Sequence, residues 1–189
     1  VNRSGFPLQI ALEDEIKKTE RSHGWRVYSK EHSWKNDKAG SEGFIDLLLL
    51  DRNGTAAINI ECKRVQNSNW IFLVPGESLN NRRHAKTFIT HIHDGGKIKI
   101  FDWKDVAVDP SCPESEFCVV PGQDGKSKPM LERVSADVVE GTEAFAKEDL
   151  SILSESKYDF RMYYNVIVTT AKLKTCQFNT SEISISEGC

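Results

Sequence analysis

The 189-residue chain lacks the features that identify several classes of protein from composition alone. Its five cysteines are scattered and form no C-x-x-C pair, which argues against a disulfide framework or a zinc knuckle and favours reduced thiols. The longest apolar run, around 47–50, is far too short to span a bilayer. No signal-peptide pattern, internal repeat or low-complexity linker is present. These absences predict a cytoplasmic protein with no membrane partner.

The chain also lacks an excess of positive charge. Its 25 Lys and Arg residues are outnumbered by 28 Asp and Glu residues, which gives a formal net charge of −3. A global attraction to polyanions is therefore not expected, although a local group of cations can still bind nucleic acid. The length allows one sizeable core, so we interpret 1–189 as a single α/β domain in which residues 65–116 elaborate the core.

Apolar periodicity and turn residues predict alternating helices and strands. Residues 7–23 have apolar side chains at helical spacing, with Pro7 suited to the first turn and Gly24 to the end of the helix. Further helices are expected at 80–94 and 129–150. The remaining predicted elements are strands at 25–28, 43–50, 55–63, 70–74 and 118–122, and one or two strands over 163–178. Loops are expected at 29–42 and over most of 95–116. This order predicts an α/β fold with a mixed central sheet.

The most informative stretch is GFIDLLLLDRNGTAAINIECKR, residues 43–64, which predicts two buried strands joined by an Asn-Gly turn. It carries Asp46, Glu61 and Lys63 among apolar residues. Because side chains alternate between the two faces of a strand, a two-residue loop places Asp46 opposite Glu61, and a four-residue loop places it diagonal to Glu61. In both cases the carboxylates share a face with Lys63, and only an odd loop or a bulge would separate them.

This combination of side chains indicates chemistry rather than packing. Two neighbouring carboxylates repel each other and lose hydration, but a divalent cation between them turns that cost into affinity, and oxygen ligands suit Mg²⁺ or Mn²⁺. Lys63 points to the same region, where its ammonium group can stabilise a phosphate or an attacking water. A simple exposed ion pair of Glu61 and Lys63 would leave the buried Asp46 unexplained. The pattern therefore predicts a site for phosphodiester hydrolysis.

Asp46, followed by Glu61-Cys62-Lys63 at the end of the next strand, resembles the PD-(D/E)xK nuclease superfamily, which includes restriction endonucleases, Holliday-junction resolvases and repair exonucleases. The sequence GFID at 43–46 stands where the family has Pro-Asp. The resemblance implies a restriction-endonuclease-like core, in which helices flank a mixed central β-sheet. It also implies a metal held by Asp46 and Glu61, often with the carbonyl oxygen of Cys62, and hydrolysis of DNA by activated water.

Many members of the superfamily add an acidic residue from the first helix. At about 100° per residue, Glu15 and Gln9 flank the apolar stripe of that helix, whereas Glu13 lies further toward solvent. We predict Glu15 as the additional catalytic residue, with Gln9 as the next candidate. The resemblance also implies DNA as a partner, a homodimer where both strands are cut, and a role in restriction, repair or phage defence.

Several other residues admit both a functional and a structural interpretation. Trp34 and Trp70 are better explained by packing than by stacking on bases. His91 and His93 diverge on the predicted helix, so they are not expected to bind a metal together. One set of cations could form either a basic rim that holds phosphates or a solvated face: Lys30, Lys35, Lys38, Arg64, Arg82, Arg83 and Lys86.

Two other functions are compatible with the same residues. A nuclease-like domain without catalytic activity could bind DNA or assemble a complex, and it would lack metal affinity. An unrelated α/β binding domain could carry Asp46, Glu61 and Lys63 by chance, and Asp46 would then face away from Glu61.

Overall fold

The computed structural model describes residues 5–36, 40–65, 68–75, 81–93, 97–113, 115, 117–122, 129–154 and 159–178. In chain order, the elements are α1 (Phe6–His23), β1 (Arg26–Asn36), β2 (Ser41–Leu50), β3 (Ala56–Lys63), β4 (Asn69–Pro75), β5 (Asn81–His93), β6 (Lys97–Pro113), β7 (Phe117–Val119), α2 (Met130–Ser154), β8 (Phe160–Thr169) and β9 (Lys172–Phe178). Six strands form a mixed sheet in the order β1-β2-β3-β8-β5-β6, and three form a second sheet, β7-β4-β9. The predicted α/β fold with a mixed sheet is confirmed. Neither described helix is long and apolar enough to cross a membrane.

Helix α1 covers one face of the six-stranded sheet. It ends as predicted at Gly24, which adopts the left-handed conformation (φ 78°) and donates its backbone N–H to the carbonyl oxygen of Glu20 at 2.7 Å. The apolar stripe of the helix packs on the buried side chains that β2 and β3 present to this face, namely Leu47, Leu49, Ile60 and Cys62. Burial of this stripe fixes the amino end of α1 beside the ends of those two strands.

Helix α2 covers the opposite face, so the sheet has a helix on each side. Its residues Val134, Val138 and Phe145 are buried, and Phe145 packs in one cluster with Leu48 and Leu50 of β2. Successive leucines of β2 therefore supply both faces of the sheet, which is why the strand is almost continuously apolar.

The hairpin of β2 and β3 opens at one end. The described pairing between the two strands covers only Leu47–Leu50 with Ala57–Ile60. Beyond Leu47, β2 continues along β1, whereas β3 continues in parallel along β8 as far as Lys63. The two strands thus diverge where β2 carries Asp46 and β3 carries its carboxyl-terminal residues.

Buried polar contacts hold the closed end of the hairpin. Arg161 on β8 donates from Nε to the carbonyl oxygen of Gly54 at 2.7 Å and forms a buried ion pair with Asp149 of α2. The hydroxyl of Tyr163 donates to the same carboxylate at 2.7 Å. These contacts join the turn, the sheet and α2, because a buried charge has to be satisfied by neighbouring polar groups.

Three segments differ from the sequence prediction. The helix predicted at 80–94 is wrong, because this segment forms β5, where β-branched and aromatic side chains such as Thr87, Phe88 and Thr90 are buried between neighbouring strands. The loop predicted at 95–116 is also wrong: its alternating lysines and isoleucines begin the long strand β6. The loop predicted at 29–42 is largely strand as well, since β1 extends to Asn36.

Gly141 on α2 is required by the packing of Trp34. A Cβ atom at Gly141 would lie 2.9 Å from Trp34 Nε1 and 3.3 Å from Ile45 Cγ1, and the indole is buried. We expect Gly141→Ala to destabilise the protein by about 1–2 kcal/mol, because overpacking costs more than the helix propensity of alanine returns. The urea unfolding midpoint checks this.

The matched control for Gly141→Ala is the same substitution in a Trp34→Phe background, where the smaller ring leaves room for the methyl group. The loss caused by Gly141→Ala should shrink there. A Gly141→Ala protein as stable as the native chain would contradict this account of the Trp34 contact.

Candidate active site

A cavity of about 430 Å³ opens where β2 and β3 diverge. Residues of α1, β1, β2, β3 and α2 line it. Asp46, Glu61 and Lys63 all face this cavity. The structure therefore brings together the three side chains that the hairpin pattern predicts on one face.

Asp46 is fixed by hydrogen bonds on both sides. Its carboxylate Oδ2 accepts the backbone N–H of Cys62 at 2.6 Å, and its carbonyl oxygen accepts Gln9 Nε2 at 2.8 Å. Burial raises the pKa of Asp46, the Cys62 N–H opposes this shift, and the Glu31 carboxylate adds to it. The charged form of Asp46 is therefore less favourable in the folded protein than in water, and a cation bound beside it would offset this cost.

Glu61 and Lys63 form an ion pair along β3, with Lys63 Nζ 2.5 Å from Glu61 Oε1. The pairing by itself lowers the pKa of Glu61. Burial nevertheless raises this pKa above its ordinary value, and the Asp46 carboxylate also raises it. The net pKa is above its ordinary value because the side chain of Glu61 is only 14% exposed and one lysine faces two carboxylates.

Cys62 contributes backbone groups rather than its thiol. Its side chain is buried on the α1 face, and burial raises the pKa of the thiol to about 12, which excludes a thiolate nucleophile at neutral pH. The N–H of Cys62 points toward β2, and in a strand the C=O of a residue points to the same neighbour. A Cβ on Gly5 would lie 3.1 Å from that carbonyl oxygen, so a side chain there would require the strand end and α1 to move apart by a few tenths of an ångström.

These groups fit a small divalent cation. Asp46 and Glu61 supply carboxylate oxygens, and Cys62 supplies a carbonyl oxygen at the same strand end. Across the described part of the chain, no three His, Cys, Asp or Glu side chains are clustered so as to hold a metal ion. Mg²⁺ is usually held by one or two carboxylates with several waters, so two carboxylates and a carbonyl suit it without a third side chain.

The first helix presents Gln9, not Glu15, to the cavity. Gln9 is buried and lines the cavity, whereas Glu15 is exposed on another part of the helix and Glu13 pairs with Lys17 and Lys30. Six residues along a helix amount to about 600°, which leaves the two side chains about 120° apart around the axis and about 9 Å apart along it. Gln9 and Glu15 therefore cannot serve the same site. The geometry thus corrects our first choice, Glu15, in favour of Gln9.

Sequence reasoning missed several acidic residues of the cavity wall, among them Glu31 and Asp137. Glu31 on β1 has a positive φ of 47°. Its neighbours Lys30 and His32 pair with Leu47 and Ile45, so Glu31 lies across from Asp46. Asp137 on α2 also lines the cavity, and its carboxylate raises the pKa of Glu61. Glu31 was hidden in a segment interpreted as a loop, and Asp137 has no distinguishing pattern among the other exposed acids of α2.

The predicted basic rim does not gather at this cavity within the described residues. Lys63 and Arg64 line it, but Lys30 pairs with Glu13 and Lys86 pairs with Asp105 at 2.9 Å on the far strands. Lys38 and the side chain of Arg82 lie outside the described residues. The cationic part of the cavity wall is therefore confined, as far as the structure describes it, to the end of β3.

The remaining candidates have structural positions. Trp34 and Trp70 are buried core residues, 7% and 2% exposed. His91 lies on strand β5 and contacts Asp159 at 3.3 Å, and the side chain of His93 is outside the described residues. Free thiols are present at Cys62, Cys118 and Cys176, and Cys189 and the side chain of Cys112 lie outside the described residues.

Compared with protein-family models, with curated proteins and with solved structures, the chain has no match. The assignment of function therefore rests on the residues and geometry of the cavity.

Proposed function

We propose that this protein is a metal-dependent nuclease that hydrolyses DNA phosphodiester bonds, with a restriction-endonuclease-like core. The observation that carries the proposal is the convergence of Asp46, Glu61 and Lys63 in one cavity at the open end of the hairpin. The mixed sheet with a helix on each face agrees with what the resemblance to the PD-(D/E)xK superfamily implies. A role in restriction, repair or phage defence, and a homodimer for two-strand cleavage, remain part of this proposal.

Asp46 and Glu61 would hold Mg²⁺ or Mn²⁺ together with the carbonyl oxygen of Cys62. When bound, the cation would polarise a phosphate oxygen and lower the pKa of a nearby water. Gln9 holds the backbone of Asp46 from the side of α1, which keeps the carboxylate aimed into the cavity. This contact positions the site without placing Gln9 on the reacting atoms.

Lys63 supplies the positive charge that the reaction needs on the protein side. Its ammonium pairs with Glu61, and the side chain is 33% exposed, so it can reach a phosphate that enters from solvent. Negative charge grows on the phosphate oxygens in the transition state, and a fixed ammonium stabilises that charge more than the ground state. The Lys63 ammonium can also donate a hydrogen bond to the attacking water and so hold it near the phosphate.

The proposal is tested by metal binding and cleavage measured side by side. Calorimetry with Mn²⁺ or Mg²⁺ should show binding to the native chain, and plasmid and single-stranded DNA should be cut only when the metal is present. Glu61→Gln should abolish both. Glu15→Gln, an exposed acid on α1 outside the cavity, is the matched control and should leave both unchanged.

The outcomes separate the candidate functions. Metal binding that depends on Glu61 but brings no cleavage of any DNA would retain the metal site and refute hydrolysis of DNA by this chain. An absence of metal binding, with or without DNA, would indicate a nuclease-like domain that binds DNA or assembles a complex without cutting. Cleavage that survives Glu61→Gln as well as Glu15→Gln would show that another part of the chain is responsible and would refute the site.

A further inference from the structure

One cationic group in the cavity has no role in the chemistry proposed above. Arg64 directly follows β3 and lines the cavity, yet its Nη1 atom is buried without a hydrogen-bond partner among the described residues. The other four buried side-chain atoms in this condition are neutral or anionic, and among them Asn59, Thr90 and Asp149 lie in the interior of the fold. A buried guanidinium nitrogen with no acceptor points to an acceptor that arrives with a ligand.

The backbone of Arg64 is held rigidly for such a role. Thr170, in the turn after β8, donates its N–H to the carbonyl oxygen of Lys63 at 3.3 Å. The Thr170 hydroxyl accepts the N–H of Val65 at 2.9 Å and donates to the carbonyl oxygen of Val65 at 2.8 Å. Arg64 is therefore fixed by hydrogen bonds on both sides, and its guanidinium is presented from a rigid strand end instead of a mobile loop.

Two positively polarised groups lie close to Arg64. The amino end of α1 borders the same cavity through Gly5 and Phe6, its first turn contains no acidic side chain, and the helix dipole adds partial positive charge. The Lys63 ammonium lies on the neighbouring residue. Five carboxylates also line the cavity, those of Glu31, Glu42, Asp46, Glu61 and Asp137. The proposed cation would neutralise part of this charge, so the phosphate is expected to bind together with the metal.

We propose that Arg64 binds a phosphate group of the substrate strand and so positions that strand in the cavity. The proposal rests on the proposed nuclease function and extends it with a substrate contact. A planar guanidinium matches the oxygens of a phosphate in a bidentate arrangement, which fixes orientation as well as charge. The bound phosphate is either an internal diester or a phosphate at the 5′ end of the strand, and the two share this chemistry.

The test is the binding of a labelled single-stranded oligonucleotide to Asp46→Asn protein, which removes cleavage from the measurement. Adding Arg64→Gln should weaken binding roughly tenfold to a hundredfold. The slope of log K against log salt concentration should become less steep by about 0.7, the contribution of one phosphate contact on a single strand. Arg26→Gln is the matched control, since Arg26 is an exposed arginine at the closed end of the hairpin.

Further measurements distinguish the two kinds of phosphate from each other and from no role of Arg64. An Arg64 effect confined to 5′-phosphorylated oligonucleotides would identify a strand-end site, and an equal effect without that phosphate would identify an internal diester; both support the proposal. Arg64→Lys should keep the salt slope and lose affinity severalfold. This variant replaces Arg64→Gln in the test if Arg64→Gln does not fold. Equal effects of Arg64→Gln and Arg26→Gln, or no effect of either, would overturn the role of Arg64.

The nuclease function can fail while this inference stands. Pyrophosphate binding by calorimetry that depends on Arg64, in a protein that cuts no DNA, would retain the anion site and refute the enzyme. Metal-dependent cutting with an unchanged Arg64→Gln affinity and salt slope would do the reverse.

Discussion

Asp46→Asn should abolish metal-dependent cleavage and at the same time make the metal-free protein more stable. The loss of a metal ligand is expected to slow cleavage by about three orders of magnitude, since the cation supplies several kcal/mol of charge stabilisation. Unfolding in urea should show a gain of about 1 kcal/mol for the variant at neutral pH. The amide oxygen of asparagine can still accept the Cys62 N–H, so the substitution removes the charge and keeps the contact.

The gain in stability from Asp46→Asn should depend on pH in a defined direction. Because burial raises the pKa of Asp46 in the folded state, the folded protein binds more protons than the unfolded chain between the ordinary and the raised pKa. Native stability therefore falls as pH rises through that interval. The advantage of asparagine should be full above the interval and should disappear below the ordinary aspartate range.

Asp51→Asn is the control of opposite sign in the same hairpin. Burial raises the pKa of Asp51, but hydrogen bonds from Ala56 and Thr55 outweigh it, and the net pKa is below the ordinary value. Its carboxylate accepts the backbone N–H groups of Thr55 at 2.7 Å and Ala56 at 3.0 Å. Asp51→Asn should destabilise by about 1 kcal/mol. If Asp46→Asn destabilised the protein as Asp51→Asn is expected to do, Asp46 would be a structural carboxylate and not part of a metal site.

Lys63→Met should reduce the cleavage rate about a hundredfold to a thousandfold while metal affinity is maintained or improved. Removing one preorganised group that stabilises transition-state charge has effects of this size. Lys63 is not a metal ligand, and its ammonium competes with a cation for Glu61. Calorimetry and cleavage at saturating Mg²⁺ separate the two effects, and Lys63→Arg should restore part of the rate.

Lys104→Met is the matched control for Lys63. Lys104 pairs with Asp102 at 2.8 Å, two residues away on a strand, in the same sequence relation as Lys63 and Glu61, but both partners are exposed on β6. This variant should cut DNA at the native rate, because an exposed ion pair contributes little. A Lys63→Met protein within threefold of the native rate at saturating metal would remove Lys63 from the mechanism.

Sequence reasoning reached the core of the site because strand alternation is insensitive to details of the turn. The observed pairing of Leu50 with Ala57 follows the register in which Asp46 lies opposite Glu61. The same reasoning placed Asn59 with Glu61, and Asn59 indeed donates to Thr142 of α2 at 2.5 Å, on the face away from α1.

The parts that sequence reasoning missed depend on tertiary contacts. Glu31 lies where the alternation of both strands is interrupted. On β2, Ile45 and Leu48 pack in the same cluster although they are three residues apart, and on β1 Glu31 itself has a positive φ. A local break of this kind leaves no periodic signal. Gln9 could be distinguished from Glu15 only when the depth of α1 along the strands was known.

The strands β2 and β3 behave as two arms joined at one end. Each arm is braced on its outer side, β2 by β1 and β3 by β8, and the closed end is held by Arg161. No described backbone ladder ties the arms together where Asp46 and Glu61 lie. The spacing between the two carboxylates can therefore adjust by a small change in the angle of the arms, which strains the hydrogen bond from the Cys62 N–H to Asp46 Oδ2 but leaves the backbone hydrogen bonds of the sheet intact. An ion of slightly different radius would be accommodated by such a movement, which is why Mg²⁺ and Mn²⁺ should both serve this site.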